Sequence, residues 1–230
     1  MRSVTLRNSG MSVGVGKILC LGRNYADHAK EMKSDIPEFP IVFLKPSTAI
    51  LWDKGTLCVP HFSHEVHHEV EMVVMIGKKG RNIPREQALG YVGGYGVGLD
   101  MTLRDVQAEA KRKGLPWTVA KGFDTSAPVS TIVEAEYVPH PENLDLSLHV
   151  NGSLRQKSNT SAMIFPIEYV VSYLSSIFTL ERGDLIYTGT PEGVAAVVPG
   201  DTMEARLGSI ASLHIHVEGI RPAGQGYPGT

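Results

Sequence analysis

Two glutamates, Glu69 and Glu71, stand two residues apart in the run His67–Ile76. The later residues of that run are apolar on both faces, so the run predicts a buried strand. On a strand, residues two apart point to the same face and lie about 6–7 Å apart along the chain. Two like charges beside a core are costly unless a cation or an arginine neutralises them. The pair therefore indicates either a cation site or an edge-strand end where both carboxylates reach water.

A third carboxylate, Asp100, follows the glycine-rich strand-like run Tyr95–Leu99 and directly precedes a predicted helix. Three carboxylates from two strand ends form an all-oxygen set that suits Mg²⁺, Mn²⁺ or Ca²⁺, whereas zinc prefers His and Cys. A magnesium-like ion keeps several water positions open, and a substrate can occupy them. Asp100 thus favours the cation site over the edge-strand alternative.

A histidine and a glutamate three residues apart, His28 and Glu31, lie in the short polar helix predicted over Asn24–Met32. At this spacing the two side chains can share a proton, as a general base and its partner do. A solvated ion pair would have the same spacing. Lys121 stands beside a glycine in an apolar setting, which fits either a functional ammonium or an ordinary surface lysine.

Further polar groups stand where they can reach the same site. Arg104 and Gln107 share one face of the helix predicted over Thr102–Lys113, which Thr102 would cap and the following glycine would end. In the run Gly189–Val194, backbone N–H groups and the Thr190 hydroxyl can hold a carboxylate, although a plain turn fits the same residues. These groups are candidates for substrate binding.

Two other motifs are rejected on their context. The letters of a zinc-protease motif occur at His64–His68, but that chemistry needs a helix, and this segment runs into a predicted strand. The glycine run at Gly93–Gly98 lacks the spacing into a helix of a dinucleotide-binding loop, and no P-loop pattern occurs. Zinc proteases and nucleotide-binding folds are therefore excluded.

The elements that must position these residues are mostly strands. Each strand-like run is bounded by turn-forming residues; the runs are Lys17–Leu21, Ile41–Leu44, Thr56–Val59, His67–Ile76, Tyr95–Leu99, Leu144–Val150, Asp184–Tyr187, Thr202–Leu207 and Ser212–Val217. Asn151–Gly152 predicts a hairpin. The predicted helices are Asn24–Met32, Pro84–Tyr91, Thr102–Lys113 and Pro166–Phe178. Few helices without βαβ alternation indicate an α+β, mostly β fold.

Composition limits the remaining functional classes. The 230 residues carry a net charge of −2, so the chain lacks the basic excess of a nucleic-acid-binding protein. No apolar run reaches the length of a membrane span or of a secretory signal. Cys20 and Cys58 lie in apolar runs, where buried, reduced thiols are expected. We expect one domain over residues 1–230 in a cytoplasmic protein.

Seven motifs occur in an order that resembles the fumarylacetoacetate hydrolase superfamily, from about Lys17 to Val217. They are Gly22-Arg23-Asn24-Tyr25 with His28 and Glu31, Phe43-Leu44-Lys45-Pro46, His68-Glu69-Val70-Glu71, Gly98-Leu99-Asp100, Arg104-Asp105-Val106-Gln107, Lys121-Gly122-Phe123-Asp124 and Gly189-Thr190-Pro191-Glu192-Gly193-Val194. Each alone is weak, but seven in order are specific. The length and the opening GRNYADHAKEM look most like the acylpyruvase and oxaloacetate decarboxylase branch.

The resemblance implies a mixed β-sandwich roll with a few peripheral helices, a catalytic domain with its core at about 17–217, and a homodimer. It implies that Mg²⁺ or Mn²⁺ is bound by Glu69, Glu71 and Asp100. It further implies a water-activating dyad on a mobile lid, His28 and Glu31, with Lys121 as oxyanion stabiliser. The implied substrate contacts are Arg23, Tyr25, Arg104, Gln107 and Thr190. The extra aspartate ligand of longer members has no clear equivalent here, so three carboxylates plus solvent are expected.

The implied substrate is a small 2-oxo acid. We expect hydrolysis of a C–C bond in an acylpyruvate, which gives pyruvate and a carboxylic acid. Oxaloacetate decarboxylation and enol–keto tautomerisation or isomerisation are the alternatives, because both use the same enolate at the same site. A ligand-binding protein without activity is the least favoured alternative, since both the carboxylate set and the His28–Glu31 pair are retained.

Overall fold

The computed structural model describes residues 2–31 and 35–219 of the chain. Its strands, in chain order, are β1 Ser3–Thr5, β2 Ser12–Gly14, β3 Ile18–Gly22, β4 Ile41–Lys45, β5 Ile50–Trp52, β6 Thr56–Cys58, β7 Val66–His68, β8 Val70–Ile76, β9 Val92–Leu99, β10 Thr102–Leu103, β11 Ala127–Val129, β12 Val133–Glu134, β13 Asp145–Val150, β14 Ser153–Asn159, β15 Leu185–Tyr187, β16 Ala195–Val197, β17 Thr202–Leu207 and β18 Ala211–Glu218.

The helices are short and few among the strands. The α-helices are α1 Ala26–Glu31, α2 Arg104–Lys113, α3 Thr118–Lys121 and α4 Ile167–Ile177, and 3₁₀ helices cover Ser47–Ala49, Arg85–Tyr91, Ala135–Tyr137 and Thr160–Ala162. The mostly β fold with a few peripheral helices confirms the predicted fold class. Within the described residues, no helix has the length and apolar character needed to cross a membrane.

A central mixed sheet of eight strands carries the fold. Its order is β4-β3-β15-β8-β9-β11-β5, with β12 paired to β9. A five-stranded sheet of order β14-β13-β17-β18-β6 packs on β8 and β9, and a small sheet joins β10, β7 and β16. Alternate residues of β8 enter two separate apolar clusters, with Met72 and Val74 in one and Val73 and Met75 in the other. The central sheet is therefore buried on both faces, as the apolar run of β8 predicts.

Three sequence predictions need correction or a new boundary. The prediction of a single strand over His67–Ile76 is wrong, because β7 and β8 belong to different sheets and the chain passes from one sheet to the other at Glu69. The helix predicted from Thr102 begins at Arg104, since Thr102 is taken into β10 against β7. The helix over Asn24–Met32 covers Ala26–Glu31, and Met32 lies outside the described residues.

Other local predictions are confirmed. The α2 helix ends at Gly114, which adopts the left-handed conformation with φ 67°. Asn151 and Gly152, with φ of 51° and 76°, join β13 to β14 in the predicted hairpin. Both cysteines are buried.

Candidate active site

The central sheet brings three carboxylates together. In the antiparallel pair of β8 and β9, Val70 lies opposite Leu99, so Glu69 and Asp100 occupy neighbouring strand ends. The backbone N–H of Asp100 donates to the Glu69 carbonyl oxygen at 2.8 Å. One carboxylate oxygen from each of Glu69, Glu71 and Asp100 lies within 4.8 Å of the other two, and all three residues are buried. Glu69 lies at the break between β7, which ends at His68, and β8, which begins at Val70, and this break places its carboxylate beside that of Asp100.

Positively charged side chains surround the carboxylates, with Lys121 buried and Arg104 half-buried. Lys121 Nζ donates to Glu69 Oε2 at 2.8 Å, to Asp100 Oδ2 at 2.7 Å and to the Thr102 hydroxyl at 2.6 Å, so its three N–H donors are all engaged. Arg104 Nη2 donates to the other Glu69 oxygen at 2.5 Å. These contacts offset the charge of carboxylates that water does not reach.

Lys45 adds a third positive charge without a hydrogen bond. Its Nζ lies 2.8 Å from Asp100 Oδ1. The three N–H donors of Lys45 instead meet the backbone oxygens of Met101, Lys121 and Ser126. Asp100 Oδ1 thus has a cation beside it but no hydrogen-bond donor within the described residues.

The two glutamates have opposite electrostatic environments. Burial raises the pKa of Glu69, but Lys121 and Arg104 outweigh that effect and hold it well below its usual range. Burial also raises the pKa of Glu71, and the charges of Asp100 and Glu69 raise it further. Burial lowers the pKa of Lys121, while Asp100 and Glu69 raise it above its ordinary value on balance. Glu71 is therefore the carboxylate whose charge is least compensated by the protein.

The His28–Glu31 pair reaches this site from α1. His28 is buried and lines the pocket above the carboxylates, and its Nδ1 lies 3.3 Å from Glu31 Oε2. The backbone N–H of Gly193 donates to both Glu31 oxygens, at 3.1 and 3.2 Å. Glu31 therefore links the histidine to the turn that follows β15.

That turn also contacts the carboxylate cluster. The backbone N–H of Gly189 donates to Glu71 Oε2 at 2.7 Å. Gly189 has φ 97°, and a Cβ there would lie 2.6 Å from Asn24 Cβ, so only glycine fits without a shift. Thr190 is buried and lines the same pocket. The backbone N–H groups of the turn therefore bind two carboxylates of the protein itself, those of Glu71 and Glu31.

The remaining predicted substrate contacts differ in their access to the pocket. Arg23, Arg104 and Gln107 line it, and Arg104 Nη1 donates to Gln107 Oε1 at 2.7 Å. Arg23 has φ 59°, a strained conformation for a residue other than glycine. Tyr25 is instead packed into the main apolar cluster, and its hydroxyl has no partner among the described residues.

A model of the fumarylacetoacetate (FAA) hydrolase C-terminal family matches residues 17–218. The chain belongs to this family. The Rattus norvegicus protein named oxaloacetate tautomerase FAHD1, mitochondrial, is 52% identical over 201 residues, which cover 87% of this chain and 91% of that protein. Its namesake from Arabidopsis thaliana is 49% identical over 202 residues, 88% of this chain and 91% of that protein.

Solved structures agree with the family assignment. The crystal structure of fumarylpyruvate hydrolase from Pseudomonas aeruginosa in complex with Mn²⁺ and pyruvate superposes with a TM-score of 0.91. It is 42% identical and covers 95% of this chain and 96% of its own. Proteins of the FAA hydrolase family thus include both a tautomerase and a hydrolase, and the family membership alone leaves the reaction open.

The residues of this family member fit a hard divalent cation. Three buried carboxylates supply oxygen ligands, as Mg²⁺ and Mn²⁺ prefer. Among the described residues, Asp100 Oδ1 is buried and accepts no hydrogen bond, although Lys45 Nζ lies 2.8 Å away, and the neighbouring carboxylates leave the charge of Glu71 under-compensated. A bound cation would give Asp100 Oδ1 a partner and would offset the charge of Glu71, so the cluster can hold a metal.

Sequence reasoning assigned no role to three residues that the fold places at or beside the site. Lys45 was visible as the lysine that ends the apolar run of β4. Lys111 stands four residues after Gln107, on the helix face that points into the pocket, and this spacing was available from the sequence. Gln156 lies in a strand of mostly exposed polar residues, and no local signal distinguishes it from its neighbours.

Proposed function

We propose that this protein is a metal-dependent enzyme that interconverts the enol and keto forms of oxaloacetate. The observation that carries the proposal is the cluster of three buried carboxylates and Lys121 at a pocket with a cationic lining. The name of the relatives that are 52% and 49% identical supports the same chemistry here.

The cationic lining favours a substrate with two carboxylates. Arg23 and Lys111 line the pocket together with Arg104. In the part of the chain that the structure describes, neither Arg23 nor Lys111 forms an ion pair with a carboxylate. Burial lowers the pKa of Lys111, and the charges of Arg104 and Arg23 lower it further. Uncompensated positive charge of this kind attracts a dianion.

His28 is the base that this proposal requires. Its Nδ1 pairs with Glu31, which leaves Nε2 free to take the proton from C3 of the 2-oxo acid. The C3–H electron pair then becomes the C2–C3 double bond, the π electrons of the 2-oxo C=O bond pass to its oxygen, and the His28 imidazolium returns the proton to that oxygen. Glu31 stabilises the imidazolium that forms. When bound, Mg²⁺ or Mn²⁺ would act as a Lewis acid on substrate oxygens.

Lys121 has a conditional role in this chemistry. The sequence predicts it as the oxyanion stabiliser, yet its three donors are engaged by Glu69, Asp100 and Thr102. It can donate to a developing oxyanion only when one of these bonds is released. Until then it serves to neutralise the carboxylates.

Acylpyruvate hydrolysis is the second candidate function, and the His28–Glu31 pair favours it. A histidine held by a carboxylate can equally remove a proton from water, which then attacks the distal carbonyl of an acylpyruvate. The structurally similar protein from P. aeruginosa is named a fumarylpyruvate hydrolase. Decarboxylation of oxaloacetate needs the carboxylate cluster but no water attack.

One panel of assays separates these reactions. With Mn²⁺ or Mg²⁺ present, we would measure loss of the near-ultraviolet absorbance of enol-oxaloacetate, hydrolysis of acetylpyruvate, and pyruvate release from oxaloacetate. The proposal expects the highest kcat/KM for tautomerisation. It also expects Lys111→Met to raise KM for oxaloacetate more than for the monocarboxylate acetylpyruvate. Faster hydrolysis would move the assignment to the second candidate, and no reaction with either metal would reject both.

Variants of the dyad and of the ligands test the residue roles. His28→Ala is expected to lower hydrolysis by about 10²–10⁴-fold and decarboxylation far less, because decarboxylation needs no base. Glu31→Gln should act in the same direction, with the loss in kcat rather than KM. Glu69→Ala and Asp100→Ala should abolish metal-dependent activity in a folded protein. Unchanged Mn²⁺ affinity by calorimetry in both ligand variants would contradict the metal site.

The assembly and location of the protein stay predictions. A homodimer is the assembly implied by the family, and light scattering after size-exclusion chromatography measures it. A cytoplasmic location is the expectation from the sequence, whereas the related proteins named above are called mitochondrial. Cell fractionation tests that expectation.

A further inference from the structure

A buried glutamine outside the carboxylate cluster connects the two chain segments that form the pocket floor. Gln156 is the one buried residue of β14, at 1% exposure. Its Oε1 accepts from the Val70 N–H at 3.1 Å and from His68 Nδ1 at 2.9 Å. Val70 lies between Glu69 and Glu71 in the chain, so this half of the amide fixes the segment that carries both glutamates.

The other half of the amide holds the turn after β15. Gln156 Nε2 donates to the Thr190 hydroxyl oxygen at 2.9 Å and to the Pro191 carbonyl oxygen at 2.9 Å. The turn is also seated closely on β14, because a Cβ at Gly193 would lie 2.3 Å from the Arg155 carbonyl oxygen. A third and longer contact joins Nε2 to the Glu192 carbonyl oxygen at 3.4 Å. Each hydrogen-bonding position of the buried amide therefore has a partner.

The orientation of the amide is fixed by backbone groups. The Val70 N–H can only donate and the Pro191 carbonyl can only accept. In a flipped amide, the NH₂ group of Gln156 would face the Val70 N–H and its oxygen would face the Pro191 carbonyl oxygen, so neither hydrogen bond could form. Nε2 therefore points at Thr190, and the Thr190 oxygen must accept. The hydroxyl hydrogen of Thr190 then has no acceptor among the described residues and is left for a group in the pocket.

We propose that Gln156 is a positioning residue, which fixes the Thr190 hydroxyl as a donor to the substrate carboxylate while it holds the Glu69–Glu71 segment in register. The inference rests on the proposed function, since it needs a 2-oxo acid in the pocket. Glutamine is required because it alone offers an acceptor to Val70 and a donor to Thr190 at the same length. Gln156 acts through Thr190 and does not touch the substrate.

A double-mutant cycle tests the proposal with pyruvate as the probe, titrated by calorimetry into protein saturated with Mn²⁺. Thr190→Val should weaken pyruvate binding by about 10-fold or more, as expected for a lost hydrogen bond to a charged group. Gln156→Met should weaken it in the same direction. The double variant Gln156→Glu/Thr190→Val, in which glutamate keeps the acceptor for Val70, should bind no more weakly than Thr190→Val alone, because no hydroxyl is left to orient.

Two further variants separate positioning from stability. Gln156→Glu keeps the acceptor for Val70 and loses the donor to Thr190, so it should weaken pyruvate binding while Mn²⁺ affinity is kept, and it replaces Gln156→Met if that variant does not fold. Ser175→Ala removes a buried hydroxyl that, within the described residues, bonds the backbone at Ile83 and Ser172, and it should lower Tm without changing pyruvate affinity.

The outcomes distinguish the two levels of the proposal. Pyruvate affinity that is unchanged in the Gln156 variants, or losses that multiply in the double variant, would overturn the role of Gln156. Wild-type protein that binds no pyruvate and does not act on oxaloacetate would overturn the proposed function, and the role of Gln156 with it.

Discussion

Replacement of Lys121 by methionine would remove a buried charge while it keeps the length of the side chain. Lys121 is 3% exposed, and its Nζ contacts Glu69 and Asp100 at 2.8 and 2.7 Å. Breaking a buried ion pair on one side costs about 3–5 kcal/mol, because the partner charge is left uncompensated. At roughly 2–4 °C per kcal/mol for a chain of this length, Tm of the metal-free Lys121→Met protein should fall by about 6–20 °C.

Mn²⁺ should reduce this difference. The ion restores the positive charge that the variant lacks, so the variant should bind Mn²⁺ more tightly than the wild type. At saturating Mn²⁺, each tenfold ratio of the two Kd values reduces the stability difference by about 1.4 kcal/mol. Because a carboxylate without its cation takes up a proton more readily, the loss of stability should also be larger at pH 8 than at pH 5.

The assay is thermal unfolding followed by circular dichroism, after chelation and again with excess Mn²⁺. Lys113→Met is the matched control: its ion pair with Glu109, at 2.7 Å, is exposed, so its removal should leave Tm almost unchanged. A metal-free Tm of Lys121→Met equal to that of the control would refute the reasoning, as would a Tm difference that Mn²⁺ does not reduce.

Two further predictions concern residues that support the site. Burial raises the pKa of Asp105, but hydrogen bonds from the His64 N–H and the Ser63 hydroxyl bring it below its ordinary value of 3.8. Because the pKa is lowered in the folded state, the ionised carboxylate stabilises the fold above pH 3.8, and this stabilisation is lost as the pH falls further. Asp105→Asn should therefore lower the free energy of unfolding by about 1 kcal/mol at pH 7 and by less at pH 3, as measured by urea unfolding. Gly193→Ala combines φ 90° with the close Arg155 carbonyl oxygen. It should therefore lose more stability, by roughly 1–3 kcal/mol, than Gly200→Ala, where φ is 95° and no described residue beyond the chain neighbours has an atom within 4 Å of the added Cβ. Equal losses in the two alanine variants would show that the turn is not seated on β14.

Much of the local structure could be predicted from the residues. The runs that became β3, β4, β17 and β18 lie within a residue or so of their predicted ends, because side-chain alternation and turn residues act over a few positions. The same holds for the Asn151–Gly152 hairpin and the stop of α2 at Gly114, where positive φ favours these residue types. His28 and Glu31 were paired from helical spacing alone, and they do lie 3.3 Å apart.

Prediction failed where a long-range contact outweighs the local pattern. His67–Ile76 reads as one strand, but β7 pairs with β10 and β16 while β8 pairs with β9 and β15, so the strand breaks at Glu69. Thr102 has the residue type of a helix cap, yet its hydroxyl accepts from Lys121. In both places, partners distant in sequence determine the structure, and a local window does not contain them.

The sequence by itself determined the identities of the carboxylates, the dyad and the turn, since their residue types and order carry the family pattern. The tertiary structure alone decided how their charges are compensated. It placed Lys45 beside Asp100 and engaged every donor of Lys121. It also set Gln156 between Val70 and Thr190, residues 86 and 34 positions away. Hydrogen bonds and ion pairs depend on distances of about 3 Å between atoms, and spacing along a chain does not fix such distances once the chain changes sheet.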